Sequence, residues 1–162
     1  MKKIILGLVL FTSSVFAFSI GSLQVSPEIG GNISYQNTKG TKFTFGGYSR
    51  IWFGISRIVI APQVKYDVIY QGKANYYNLQ AGGLIGFEMP VVPITPYIGV
   101  SWSKFYNIGL QNAAAFNYGV KFNIPSVRFL TFGVDGVYQA PKIIGGGRLG
   151  MNRIGVTLGV EF

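Results

Sequence analysis

The chain has 162 residues, a formal net charge of +9 from fourteen bases and five acids, and only 12% charged residues, against about 25% in an ordinary soluble domain. It contains no cysteine and no histidine, which excludes disulfides, thiolate metal sites, an acylated lipoprotein cysteine and imidazole-based catalysis. Beyond the N-terminus no apolar run reaches the roughly 18 to 20 residues of a transmembrane helix. Contact with lipid would therefore require a closed barrel, the other structure that satisfies every backbone hydrogen bond in hydrocarbon.

Residues 1–17 have the layout of an export signal. Met1-Lys2-Lys3 is a positive start, Ile4 to Phe11 a short apolar stretch, and Val15-Phe16-Ala17 a small-residue cleavage site. Cleavage after Ala17 leaves residues 18–162 as one outer-membrane barrel domain, with twelve bases against the five acids. These bases are thinly spread, which suits anionic lipid headgroups or polysaccharide better than nucleic acid.

From residue 22 the apolar period is two, the mark of half-buried strands. The first strand carries Leu23, Val25, Pro27, Ile29, Gly31, Ile33 and Tyr35 on one face. The second alternates Phe43, Phe45, Gly47, Ser49, Ile51 and Phe53, but Tyr48 and Trp52 fall on its other face with Lys42 and Arg50. A bulge near Gly46-Gly47 is the expected way to switch faces there. The third strand runs Ile58, Ile60, Pro62, Val64, Tyr66, Val68, Tyr70, and the fourth Tyr77, Leu79, Ala81, Gly83, Ile85, Phe87, Met89. The fifth has Ile94, Pro96, Ile98, Val100 and Trp102; the sixth Ala114, Phe116, Tyr118, Val120, Phe122 and Ile124. The seventh has Leu130, Phe132, Val134, Gly136, Tyr138 and Ala140; the last Ile154, Val156, Leu158, Val160 and Phe162.

No charge falls on these stripes, and all five acids lie on the opposite faces. On a barrel's outer face at mid-bilayer an Arg or Lys costs about 2–4 kcal/mol, so the pattern predicts lipid outside and a polar interior. A soluble lipocalin-like barrel would show the same period with the stripes inward. It would also need a charged exterior, and the polar faces are mostly Gly, Ser, Thr, Asn and Gln.

Short links are expected near Gly54-Ile55-Ser56, Pro90 to Pro93 and Pro125-Ser126. Longer ones are expected at Gln36 to Thr41, Gln71 to Asn75, Lys104 to Asn112 and Pro141 to Gly147. Short periplasmic turns and longer external loops are the bacterial pattern. The predicted class is all-β: an eight-stranded antiparallel up-and-down transmembrane β-barrel with an even strand number and both ends periplasmic.

The chain closes on Ile154-Gly155-Val156-Thr157-Leu158-Gly159-Val160-Glu161-Phe162, which resembles the terminal-strand signal of bacterial outer-membrane proteins. The mature chain is similar in architecture to the small barrels typified by the OmpA membrane domain, OmpX and OmpW. The resemblance implies residence in the outer membrane, insertion by the barrel-assembly machinery with Phe162 as the assembly signal, and a monomer. Long external strands like those of OmpX are missing here, so the resemblance does not carry an adhesive role.

Glu28, Asp67, Glu88, Asp135 and Glu161 come singly from different strands, which gives no metal-ligand cluster. With Arg50, Lys65, Lys121 and Arg153 on the same face they are expected to form a lumenal charge network, the long side chains accommodated by inward glycines such as Gly30, Gly119 and Gly159. An eight-stranded barrel is just wide enough for side chains to fill it, so a plugged, ion-paired interior is expected rather than a gated ion path.

Three related segments, Tyr35-Gln36-Asn37-Thr38-Lys39, Tyr70-Gln71-Gly72-Lys73 and Tyr138-Gln139-Ala140-Pro141-Lys142, each carry a strand into an external loop. Tyr anchors at a membrane interface, and Lys39, Lys73 and Lys142 form a candidate contact for lipopolysaccharide headgroups. Gly145-Gly146-Gly147-Arg148-Leu149-Gly150 has the look of a phosphate loop, but such loops need a following helix and a strand follows.

The expected function is an integral outer-membrane barrel with a structural or surface-binding role, no cofactor and no catalysis. The alternative is a narrow channel for small hydrophobic solutes, its entrance shaped by Phe105-Tyr106, Ile108, Leu110 and Ile143-Ile144. A lipid-modifying enzyme comes third: by resemblance the known barrel enzymes use a histidine base.

Overall fold

A computed structural model describes residues 18–20, 23–38, 41–71, 74–124, 126–127 and 129–162. The proposed leader, residues 1–17, lies outside the described residues. Nine strands follow in order: β1 (Phe18–Ile20), β2 (Leu23–Asn37), β3 (Thr41–Ile55), β4 (Ile58–Gln71), β5 (Ala74–Phe87), β6 (Ile94–Tyr106), β7 (Ala113–Asn123), β8 (Leu130–Gln139) and β9 (Met151–Glu161).

Each strand pairs with the next, and β9 pairs back onto β2, so β2 to β9 close an eight-stranded antiparallel barrel. The closing seam runs from Glu28↔Glu161 to Asn37↔Asn152. One residue further, Phe162 donates its backbone N–H to the Pro27 carbonyl at 2.8 Å. Below that point β1 occupies the edge of β2, with Phe18 opposite Val25. The backbone groups that would otherwise leave an open edge are thereby paired.

The stripes read from the sequence point outward. Ile29, Ile33, Phe45, Ile60, Val64, Ile85, Ile98, Val100, Ile154 and Leu158 are among the exposed large apolar residues of the outer face. The buried residues facing inward are mostly polar or charged, the inverse of a soluble protein and the arrangement that hydrocarbon solvent demands. Among the described residues no helix is long and apolar enough to cross a membrane.

The expected bulge in the second strand is absent. β3 keeps one register with β2 from Leu23↔Ile55 to Asn37↔Thr41, and its side chains alternate without interruption. Tyr48 and Trp52 are 4% and 3% exposed, so both point into the lumen. Aromatics on the polar face are there to pack and donate hydrogen bonds, and no change of face is needed.

The loop lengths also differ from expectation. β2 and β3 extend to Asn37 and Thr41, and β4 and β5 to Gln71 and Ala74, so two of the four expected long loops are tight hairpins. β6 likewise continues to Tyr106, which places Lys104 on the outer face opposite Leu79, its ammonium 5.0 Å from the Tyr106 ring centroid.

Two of the links expected to be short, residues 88–93 and 124–129, are as long as 107–112, and only 140–150 is longer. Connections 107–112 and 140–150 are joined to each other. Leu110 bridges Ile143 and Lys142 bridges Arg148, with backbone bonds from Gln111 to Lys142 (2.9 Å) and Ile144 to Gly109 (2.9 Å). Gly145, Gly146 and Gly147 turn this flap at φ +109°, +120° and +80°, a region open to glycine and strained for other residues. A strand, β9, follows.

Candidate functional site

The lumen collects the charges, and the strand registers decide which of them meet. Nearest the end that carries β1, Glu28 on β2 accepts three hydrogen bonds: from the Tyr48 hydroxyl (2.8 Å), the Trp52 indole N–H (2.6 Å) and the Thr131 hydroxyl (2.9 Å). Trp52 packs with Val59, Ala61, Leu84 and Tyr97 in an apolar cluster on the inner wall of β3 to β6. Lys121 lies over the Trp52 ring, 4.8 Å from its centroid, and pairs with Glu161 at 2.9 Å.

At mid-height Asp135 on β8 is the hub. It pairs with Lys65, lies 3.6 Å from Arg50 and accepts the Tyr97 hydroxyl at 2.9 Å. The Arg50 guanidinium sits between two rings, 4.3 Å from the Tyr48 centroid and 5.1 Å from that of Tyr97. Cation–π contact adds to the ion pair in such a desolvated place. Small residues make the room: a Cβ on Gly30 would lie 2.5 Å from the Tyr48 hydroxyl, and one on Gly119 2.5 Å from that of Tyr97.

Toward the loop end, Asp67 pairs with Arg153 at 2.5 Å and accepts from the Asn32 amide at 2.8 Å. Arg153 also donates to Asn78 (2.8 Å), Asn78 to Ser103 (2.7 Å), and Ser103 to Gln139 (2.8 Å). Above this polar layer a second apolar cluster spans the mouth: Ile69, Tyr76, Phe105, Leu110 and Met151, with Ile108 and Leu149 against it. Phe105, Ile108 and Leu110 thus pack together across the opening instead of lining an open entrance.

Eight of the nine residues expected in the charge network enter the lumen: Glu28, Asp67, Asp135 and Glu161 with Arg50, Lys65, Lys121 and Arg153. Four acids face four bases. Glu88 does not join them. β5 ends at Phe87, and Glu88 is half-buried in the following turn, its N–H bonded to the Arg57 carbonyl at 2.8 Å. Alternation ceases to assign a face once the strand has ended.

Of the three candidate headgroup lysines, Lys142 is exposed on the flap, while Lys39 and Lys73 lie outside the described residues. Tyr35 and Tyr138 are exposed on the outer face while Gln36 and Gln139 are buried inside, as the repeated segments imply. The partners that sequence reasoning missed are Tyr48, Trp52 and Tyr97. Their signal was present as aromatics at inward positions, but alternation does not reveal which acid an aromatic will contact.

An apolar outer belt around a hydrogen-bonded, ion-paired lumen on eight closed strands defines the class by its fold: an eight-stranded antiparallel β-barrel with an apolar exterior, the fold of small outer-membrane barrels. Three solved structures share the fold. Neisserial surface protein A aligns with a TM-score of 0.56 at 13% identity, over 85% of this chain and 97% of that one. The N-terminal barrel of Pseudomonas aeruginosa OprF gives 0.56 at 15%, over 85% and 97%. Ail, the attachment invasion locus protein of Yersinia pestis, gives 0.53 at 15%, over 88% and 100%. At these identities the likeness is one of fold. No protein-family model and no curated protein matches the sequence.

Proposed function

We propose that the protein is a closed, non-enzymatic outer-membrane barrel that acts through its surface, with a lumen plugged by charge pairs. The observation that carries this reading is the distribution of charge. The lumen is balanced, four acids against four bases, with apolar clusters packed in it toward both ends. At the loop end, Lys42, Lys104, Lys142 and Arg148 are met by no acid, since the fifth acid, Glu88, is in a turn at the opposite end. Lys39 and Lys73 belong by chain order to connections at that same end.

A neutral interior has little to attract an ion, whereas a uniformly basic rim raises the local concentration of anions. The loop end carries the longest connection, residues 140–150, and is read as external on the bacterial rule for loops and turns. On this reading Lys142, together with Lys39 and Lys73 of the same end by chain order, would meet the phosphates of lipopolysaccharide. The absence of histidine from the chain supports the non-enzymatic reading.

Lipopolysaccharide co-purifying with the barrel, extracted in mild detergent, tests this. The K39Q/K73Q/K142Q variant should retain several-fold less than wild type, and raised salt should reduce the difference. Equal retention at all salt concentrations would overturn the rim assignment. A steady planar-bilayer conductance from the wild type would overturn the plug.

A further inference from the structure

On the outer wall at the loop end, β6, β7 and β8 enclose a groove of about 500 Å³, within the range of about 300–1,000 Å³ typical of ligand clefts. Along β7 it is lined by Ala113, Ala114, Ala115 and Phe116, with Trp102 of β6 on one side and Tyr138 of β8 on the other. Trp102 is 60% exposed and Tyr138 51%. The shape follows from the sequence: Ala114 is the small outward residue among the outward aromatics Trp102, Phe116 and Tyr138. Ala113 and Ala115 turn toward the lumen, so β7 leaves a gap where its neighbours carry bulk. The groove therefore opens to the membrane and away from the lumen.

Lys142 and Arg148 stand at the head of this groove and belong to its lining. They are directly opposite each other across an antiparallel bridge. That geometry brings Cβ atoms to roughly 4.5–5.5 Å, and like charges so placed are destabilising. No carboxylate relieves them. Four of the five acids are in the lumen, and Glu88 is in a turn at the far end. The backbone bonds of the flap nevertheless hold the pair in place, through Gln111 to Lys142 at 2.9 Å and Leu149 to Pro141 at 2.9 Å.

We infer that this groove is a binding site for a phosphorylated, multi-acyl glycolipid of the outer leaflet. One acyl chain would lie along β7 at Ala114 between Trp102 and Tyr138, and a phosphate would be held between Lys142 and Arg148. Two bases fixed side by side with no acid are complementary to a dianionic phosphate. The planar fork of Arg148 suits bidentate contact, and Lys142 supplies a point charge. An apolar trough continuous with that anion site distinguishes an acyl lipid from a soluble polyanion. The inference rests on the surface-binding reading above and narrows it from a ring of rim lysines to one wall of the barrel.

The test uses the full-length folded barrel in detergent micelles, titrated with bis-phosphorylated lipid A and followed by native mass spectrometry. Wild type should bind it at least tenfold more tightly than dephosphorylated lipid A. K142Q/R148Q should lose at least tenfold in affinity for the phosphorylated form. A114W, which fills the trough from the lipid-facing side and leaves both charges, should lose a similar amount. R57Q, which removes an exposed base in the β3–β4 turn at the opposite end of the barrel, should bind as wild type does. Unchanged binding by K142Q/R148Q would overturn the site. If K142Q/R148Q weakens binding, A114W does not, and heparin competes fully, the flap is a site for soluble polyanions. The groove assignment then fails while the basic-rim reading survives. Loss with K39Q/K73Q alone would instead leave the rim reading and remove this wall.

Discussion

Lys65 on β4 reaches Asp135 on β8, the strand diametrically opposite it in the eight-stranded ring. The pair is a strut across the lumen and is buried at both ends, with side chains 3% and 4% exposed. Arg50 shares the same carboxylate, so one acid compensates two bases at mid-height. Removing it should be disproportionately costly. Asp135→Ala should destabilise the folded barrel by about 3–5 kcal/mol, because Arg50 and Lys65 are left as uncompensated buried charges. The double change K65M/D135L should recover the part of that loss due to Lys65 and keep the part due to Arg50, which still lacks its carboxylate. Urea unfolding in lipid vesicles measures both. A single variant no weaker than the double would remove the strut.

Glu88 and Glu28 separate a turn residue from a lumenal one. Glu88→Ala should stay within about 0.5 kcal/mol of wild type, as surface changes do. Glu28→Ala should cost several-fold more, because it leaves the Tyr48, Trp52 and Thr131 donors without their shared acceptor, at about 1–3 kcal/mol for each buried group stranded. Parity between the two variants in the same unfolding assay would contradict this placement.

The contrast between those two acids shows how much the sequence disclosed. Period-two alternation assigned faces wherever a strand was long, so Asp67, Asp135 and Arg153 were legible as lumenal from their neighbours alone. It failed at Glu88, where the strand had ended, and it misread Tyr48 and Trp52, because inward aromatics look like a break in pattern when they are the donors that a buried carboxylate needs. Pairing across the lumen was not legible at all. Lys65 and Asp135 are 70 residues apart, and their meeting depends on the closing register between β2 and β9, which no local pattern encodes. The Lys142–Arg148 bridge was hidden for a related reason: the loop between β8 and β9 had to turn back on itself at Gly145–Gly147 before the bases could be brought together.

Orientation is tested by single-cysteine labelling in intact cells, which the absence of native cysteine makes clean. Cysteine at position 142 or 144 on the flap should react with an impermeant maleimide, and cysteine at 56 or 126 should not. Reaction at 56 and 126 alone would invert the barrel, and the phosphate site on the flap would then face the wrong leaflet.

The Trp52 indole separates packing from hydrogen bonding. Trp52→Phe keeps an aromatic ring in the cluster with Val59, Ala61, Leu84 and Tyr97 but deletes the N–H that meets Glu28 at 2.6 Å. A charge-assisted bond of this kind is worth about 1.5–3 kcal/mol, so the loss should fall in that range. Combining it with Glu28→Gln should be less than additive, since both changes act on one interaction. Strict additivity in that cycle would show that Trp52 contributes through its volume alone.

The last prediction concerns the plug. Two apolar clusters lie in series along the lumen, one built on Trp52 and Leu84 near β1 and the other on Tyr76 and Phe105 at the mouth. The Lys65–Asp135 and Arg153–Asp67 pairs lie between them, and Lys121–Glu161 lies beside the lower one. An ion crossing the lumen must leave water at each cluster, so the resistances add and the less open cluster controls the flow. Wild type should therefore show no steady conductance in a planar bilayer. Y76A/F105A should remain silent because the lower cluster still blocks the path, and W52A/L84A should remain silent because the mouth does. Only the fourfold variant should conduct, with Asp67, Asp135, Arg50 and Arg153 then facing a wetted path that favours neither sign strongly. If either double variant conducts as well as the fourfold one, a single cluster is the gate and the serial arrangement is wrong.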